Sequence, residues 1–193
     1  MSVATRLSDA EIAALNARFE TADPREIVRW CVETFGDGLS VGASFGGASG
    51  SAILHMVAQL KPNVHVFVLD TDYLFEETHE SMRETVSALS LSNVQVYKSK
   101  LSHEEQAKQF GSALWMRDPD ACCEIRKVEP NHRALEGKDC WISGLRRDQS
   151  EGRADIPILS WNAKFGLLKV NPLANWTEAR TWAYLLDNKT PYN

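Results

Sequence analysis

The chain has 193 residues, 44% hydrophobic and 24% charged. This excludes a disordered polymer and allows one domain whose core needs no disulfide staples. Lys and Arg total 21 against 26 Asp and Glu, a net charge of −5. That balance speaks against a broad nucleic-acid-binding face but leaves room for a local anion pocket. No apolar run approaches the roughly 18 residues that span a bilayer, so no membrane association is expected. The N-terminus, MSVATRLSDAE, lacks the apolar stretch of a secretory signal. The expected setting is cytoplasmic, with Cys31, Cys122, Cys123 and Cys140 as reduced thiols.

Helices come first. Ser8-Asp-Ala-Glu11 fits a capping box ahead of Ile12, Leu15 and Phe19. Asp23-Pro24 caps and opens a second helix with Ile27, Val28, Cys31 and Val32 inward. The period then changes. Leu39–Ala43 reads as a buried strand, 49–60 as a helix, and Val64–Leu69 as a strand apolar on both faces. A helix is expected from about Phe75 to Leu89, a strand at 94–97, and helical stretches near 102–110 and 122–135. Strands are expected at 140–143, 156–159 and 167–170, and a last helix at 176–187. Residues 1–37 are read as N-terminal helices packing on a nucleotide-binding α/β domain at 38–193. Alternating strands and helices imply a mostly parallel sheet with helices on both faces, and ligands outside the carboxyl ends of its strands.

Those ends carry the candidate chemistry. The first strand runs into Ser44-Phe-Gly-Gly-Ala-Ser-Gly50 and then a helix, which suits either an anion loop or an ordinary glycine turn. It matches neither the dinucleotide G-x-G-x-x-G nor a Walker loop. Asp70, at the end of the second strand, suits a ribose hydroxyl, a metal-bound water or a helix cap. Gly144-Leu-Arg-Arg-Asp-Gln-Ser150 and Gly152-Arg153 place three arginines after an apolar strand, where forked donors match phosphate and sulfate oxygens. On a helix, Arg126 lies over Cys122 and Lys127 over Cys123, an arrangement that favours thiolates. A pair of half-buried thiols fits the same residues. Cys31 and Cys140 read as core. The histidines lack zinc-protease spacing. Trp115, Trp141, Trp161, Trp176 and Trp182 read as core rather than as stacking platforms.

Together these segments resemble the assimilatory adenylyl-sulfate and phosphoadenylyl-sulfate reductases, from about Leu39 to Asn193. Ser44-Phe-Gly-Gly-Ala48 is similar to the family's modified pyrophosphate loop, and Leu69-Asp-Thr-Asp-Tyr-Leu-Phe-Glu-Glu-Thr78 to its D-T-G-x-L-F-x-E-T segment. Cys122-Cys-Glu-Ile-Arg-Lys-Val-Glu-Pro130 with Arg133-Ala-Leu135 is similar to C-C-x-x-R-K-V-x-P-x-x-R-A-L. Trp141–Ser150 with Arg153 resembles the substrate-anion segment, and Lys169–Leu173, Trp176-Thr177 and Pro191–Asn193 extend the match. Asp72 stands where the family carries glycine.

The resemblance implies an adenine nucleotide α-hydrolase-like fold of PP-loop type. The implied reaction is reductive cleavage of adenosine 5'-phosphosulfate to sulfite and AMP. A cysteine thiolate attacks the sulfate sulfur and expels AMP, and thioredoxin or glutaredoxin then releases sulfite from the S-sulfo-cysteine. The implied substrate site is Ser44, Phe45, Gly46, Gly47, Ala48, Leu69, Asp70, Thr71, Lys127 as an assisting cation, Gly144, Arg146, Arg147, Gln149 and Arg153. Cys122 and Cys123 match two of the four ligands of a 4Fe–4S cluster. The family's C-x-x-C pair and its E-C-G-L-H segment with the nucleophile are expected beyond Asn193, so this chain alone is expected to bind nucleotide and release no sulfite. Other readings are use of the 3'-phosphorylated nucleotide, an ATP pyrophosphatase or sulfurtransferase, and a non-catalytic nucleotide-binding protein. A homo-oligomer is left open.

Overall fold

The computed structural model describes residues 6–193. Residues 1–5, part of the segment 1–37 and of the stretch read for a secretory signal, lie outside the described residues. Six strands form one sheet among the described residues: β1 Leu39–Gly42, β2 His65–Asp70, β3 Val94–Lys98, β4 Cys140–Ile142, β5 Leu159–Asn162 and β6 Leu167–Val170. Their order is β3-β2-β1-β4-β6-β5, parallel throughout except for the β5–β6 pair. The chain winds outward from β1 to β3, then restarts on the other side of β1 with β4. The order therefore reverses between β1 and β4, where an open α/β sheet has room for a ligand.

Strand alternation divides the sheet into unequal faces. Leu39 and Val41, Val66 and Val68, Cys140 and Ile142, and Leu168 and Val170 point into the main core. That face is covered by α1 Asp9–Phe19, α2 Pro24–Phe35, α3 Ala48–Ala58, α4 Glu76–Ala88 and α9 Glu178–Asp187. The capping box at Ser8 and the Asp23 cap with Pro24 form as the sequence indicates. On the reverse face Phe67 and Leu167 meet Ala134 and Leu135 of α8 Glu129–Leu135 in a smaller cluster with Trp141 and Phe165. No described helix is long and apolar enough to cross a membrane.

Two elements depart from the periodicity reading. The stretch 122–135 is not one α-helix. After α5 His103–Phe110 and α6 Leu114–Arg117, α7 Pro119–Cys123 passes into a π-helical turn at Glu124–Val128 before α8. Pro130 has no N–H for the Arg126 carbonyl and its ring crowds that oxygen, so the wider turn relieves both. The strand expected at 156–159 instead spans 159–162 and pairs antiparallel with β6, Asn162 opposite Leu167. Pro157 breaks the earlier run, and Gly166, at φ +68°, closes the hairpin. Asn16 of α1 then caps the outer edge of β5, donating to and accepting from the Leu159 backbone at 2.9 Å each. Finally, Asp72 adopts φ +62°, the left-handed conformation that a glycine takes freely and that aspartate tolerates.

Candidate active site

At the switch point the loops after β1 and β4 enclose a cavity of about 730 Å³. Its floor comes from Gly42, Phe67 and Trp141, and its walls from Ala43, Ser44, residues 46–50, Gly144–Arg146, Asp148 and Gln149. Glu178 and Trp182 of α9, with Asn193, complete it. The β1 loop is anchored by Phe45, which is 1% exposed, sits in the main core and holds φ +52°. With that side chain buried, Ser44, Gly46 and Gly47 stand at the surface as backbone leading into α3. A Cβ at either glycine's site would meet little, so a ligand can approach the main chain and the helix N-terminus. Phe45 thus shapes the loop but does not line the cavity, which corrects its expected role as a substrate contact.

Gly144 is required by close approach. A Cβ there would lie 3.1 Å from Ser49 Cβ and 3.2 Å from the Ser49 carbonyl oxygen. The contact lets Arg146 Nη1 donate to Ser49 Oγ, tying the two loops together across the crevice. Arg146 Nε donates to Asp148 Oδ1 at 2.8 Å, and its backbone N–H donates to Gln149 Oε1 at 3.2 Å. Asp148 Oδ2 in turn accepts the Glu178 N–H at the start of α9 at 2.6 Å. Burial alone would raise the Asp148 carboxyl, but Arg146 and the Glu178 amide outweigh it and hold it below the usual carboxylate range. Arg146 is thus fixed by three side chains, and it is the one cationic side chain among the described residues that line this cavity.

Arg147 and Arg153 leave the crevice. Arg147 donates to Glu20 Oε1 at 2.6 Å, to the Ile156 carbonyl at 3.0 Å and to Asn175 Oδ1. It fastens the end of α1 to the β4 loop and corrects the expectation that it faces the substrate anion. Adjacent side chains on an extended backbone point opposite ways, and only one of the two can face the crevice. Arg153 donates to Gln149 Oε1 at 2.6 Å and reaches the site only through that side chain. Asp70 is buried, accepts the Asp72 N–H at 2.8 Å and pairs with Lys98 at 3.0 Å, so it closes a turn and lies off the cavity wall. Ser44, Gly46, Gly47, Ala48, Leu69, Gly144, Arg146 and Gln149 do converge there.

Thr71 and Lys127 line a second cavity, of about 460 Å³, with Tyr73, Trp115, Pro119, Cys122, Cys123 and Arg126. Cys122 is buried and Cys123 exposed. Arg126, 2% exposed, donates to Asp72 Oδ2 and to Gln106 Oε1 at 2.7 Å each, while its Nη2 has no partner. Gln106 Nε2 lies 4.0 Å from Cys122 Sγ. Among the described residues no group of three or more His, Cys, Asp or Glu side chains could hold a metal. The two thiols do not close a metal site by themselves. Cys31 and Cys140 are wholly buried, and burial beside Cys31 pushes the Cys140 thiol up, away from nucleophilic use. No cysteine lines the 730 Å³ cavity among the described residues.

Sequence reasoning missed Asp148, Glu178 and three aromatics. Trp141 and Trp182 line the crevice as well as packing against the core, and Trp115, 56% exposed at the thiol cavity, is not a core residue. Alternation in β4 was the available signal for Trp141: it lies between core-facing Cys140 and Ile142 and so must face the other way.

The phosphoadenosine phosphosulfate reductase domain matches residues 40–193. The chain is 48% identical over 186 residues to an adenosine 5'-phosphosulfate reductase of Salinibacter ruber, covering 96% of this chain and 73% of that one. It superposes with a TM-score of 0.83 on a phosphoadenylyl-sulfate reductase from Candida auris in a phosphate complex, 33% identical, covering 97% of this chain and 90% of that one. An NH3-dependent NAD synthetase from Campylobacter jejuni, 13% identical, shares the fold alone, with a TM-score of 0.61 over 92% of this chain and 73% of that one.

Proposed function

This chain belongs to the phosphoadenosine phosphosulfate reductase domain family, and on that premise we propose that it binds adenosine 5'-phosphosulfate in the β1–β4 crevice for reductive cleavage to sulfite and AMP. Relatives at 48% and 40% identity carry the name adenosine 5'-phosphosulfate reductase, which supports this nucleotide over the 3'-phosphorylated one. The observation that carries the reading is the pairing of an open glycine loop at a helix N-terminus with one buried, fully oriented arginine at the sheet's switch point.

The chemistry assigned to these residues is binding and leaving-group stabilisation. When a thiolate attacks the sulfate sulfur, the S–O bond to the phosphate breaks and its electron pair becomes charge on the departing AMP. Amides at the start of α3 and the Arg146 guanidinium offer preorganised donors for that charge. The attacking thiol is assigned to a residue outside those lining the crevice. Release of sulfite from the S-sulfo-cysteine is assigned to a thioredoxin-type dithiol, whose two thiols become a disulfide. Cys122 and Cys123 would supply two thiolates to an iron–sulfur cluster when one is bound, with Lys127 beside them.

Calorimetry with AMP and a sulfite-release assay with thioredoxin test the proposal on this chain. AMP is expected to bind, and replacing any of Cys31, Cys122, Cys123 and Cys140 by Ser is expected to leave that binding within a few-fold. No heat with AMP would refute the crevice as a nucleotide site, and sulfite release that depends on a thiol lining the crevice would refute the assignment of the nucleophile.

A further inference from the structure

We infer that Lys169 is a positioning residue of the nucleotide crevice: from behind the Trp141 ring it sets a positive charge under the floor and draws an anionic nucleotide down without touching it. The inference deepens the nucleotide reading above and rests on it. Strand pairing sets the geometry. Lys169 of β6 is the register partner of Trp141 in β4, so both side chains leave the same face of the sheet, opposite core-facing Leu168 and Val170. The lysine ammonium stands 4.6 Å from the centre of the indole ring. Trp141 lines the cavity and Lys169 does not, so the ring lies between the charge and the ligand space.

The ring does not need the lysine to hold its place. Phe165 meets it edge-on at 5.8 Å and Phe67 lies at 6.1 Å, while a Cβ on Gly42 would come within 2.7 Å of its Nε1. What Lys169 adds is charge. It is half-buried, and its side chain makes no hydrogen bond or ion pair among the described residues. Burial, and then the like charge of the nearby Arg153, lower its pKa. Arg153 donates to Gln149 and has no carboxylate partner among the described residues. Of the carboxylates on the cavity walls, Asp148 is engaged by Arg146, and neither it nor Glu178 bonds to Lys169 or Arg153. Two neighbouring cations without a carboxylate repel each other. The indole face offsets part of that cost, and an anion on the far side of the ring offsets more. Aromatic groups screen a field less than water does, so a charge behind this floor acts across the cavity.

The test is calorimetry of AMP binding, with phosphorus NMR of bound AMP against pH, on the full chain and its Lys169→Met and Lys169→Arg variants. Methionine keeps an apolar stem on the ring and removes the charge, whereas arginine keeps the charge and stacks on an indole. Lys169→Met is expected to weaken AMP by about 5-fold, a gap that narrows at high salt. It is also expected to raise the pKa of the bound phosphate by about 0.3, because the second negative charge loses support. Lys169→Arg is expected to stay within about 2-fold of the wild type. Unchanged affinity in Lys169→Met overturns the inference. A loss that leaves the phosphate pKa unmoved, or that Lys169→Arg does not restore, would show that the lysine only shapes the floor, and overturns it too. A wild-type chain that binds no AMP overturns the nucleotide site itself and takes the inference with it.

Discussion

The β1–β4 crevice and the thiol cavity beside β2 are built by opposite means. The crevice is a product of topology: backbone at two strand ends, with side chains that satisfy one another from Ser49 through Arg146 and Asp148 to the Glu178 amide. The thiol cavity is a product of side chains on a short, distorted helical run. It holds a buried guanidinium with one nitrogen unpartnered, and half-exposed Tyr73 and Trp115 at its mouth. The first is preorganised to hold a ligand. In the second, the same buried charge that orients the helix also makes the local fold vulnerable.

The sharpest way to break this contrast is to remove each arginine. Arg126→Met leaves the buried Gln106 acceptor without its donor and takes from Asp72 its buried cation, leaving it Lys98 alone, and is expected to cost about 2 kcal/mol. Thermal unfolding would then fall by about 4–8 °C, while AMP affinity stays within a few-fold. Arg146→Met is expected to do the reverse, weakening AMP by about 30-fold, since truncating a buried charge pair costs upward of about 2 kcal/mol. Its neighbour provides the control. Arg147→Ala is expected to lower stability by about 1 kcal/mol through the α1 junction and to leave AMP affinity within about 3-fold. An Arg147 variant that lost nucleotide as Arg146→Met does would show that the two side chains share the site.

Adjacent arginines with opposite duties also show where sequence reading stops. The glycine loop and the alternation of strands and helices follow from periodicity and composition, and Gly46, Gly47, Gly144 and Arg146 do converge on one crevice. Which of Arg146 and Arg147 faces the crevice depends on Glu20, distant along the chain, whose carboxylate claims one of them. Trp141 looks like core because only the folded sheet shows that its reverse face opens on the crevice, and Trp182 because only the fold brings α9 to the crevice rim. The π turn at 124–128 was hidden because the local pattern supports a plain helix, and the effect of Pro130 on it is conformational rather than compositional.

Protonation probes the sheet that carries both regions. His65 is buried on the reverse face, with Nδ1 2.8 Å from Ser40 Oγ and Nε2 3.4 Å from the Tyr97 hydroxyl. Burial, with Lys138 adding to it, lowers its pKa to about 4. An unfolded histidine titrates near 6.5. Between those values the unfolded chain binds more protons, so stability is complete above about pH 6.5 and is lost as the pH falls toward 4. A loss of about 2 kcal/mol over that window is expected, seen as a falling unfolding midpoint in urea. His65→Gln is expected to flatten that part of the profile. A slope unchanged in the variant would assign the acid sensitivity to other groups.

The smallest expected effect joins the two regions through the loop between them. Asp72 occupies a left-handed backbone position and pairs with exposed Lys98 at 2.8 Å and buried Arg126 at 2.7 Å. Burial of the partner decides which pair matters, because water screens the lysine and not the arginine. Asp72→Asn is expected to cost about 1 kcal/mol and Lys98→Met a few tenths. A double-mutant cycle separates them: coupling between Asp72 and Arg126 is expected to exceed that between Asp72 and Lys98 and to survive high salt. Asp72→Gly loses the same charge but relieves the backbone, so it is expected to be at least as stable as Asp72→Asn. Equal coupling to both cations would mean that the carboxylate serves the surface, and that Arg126 is held by Gln106 alone.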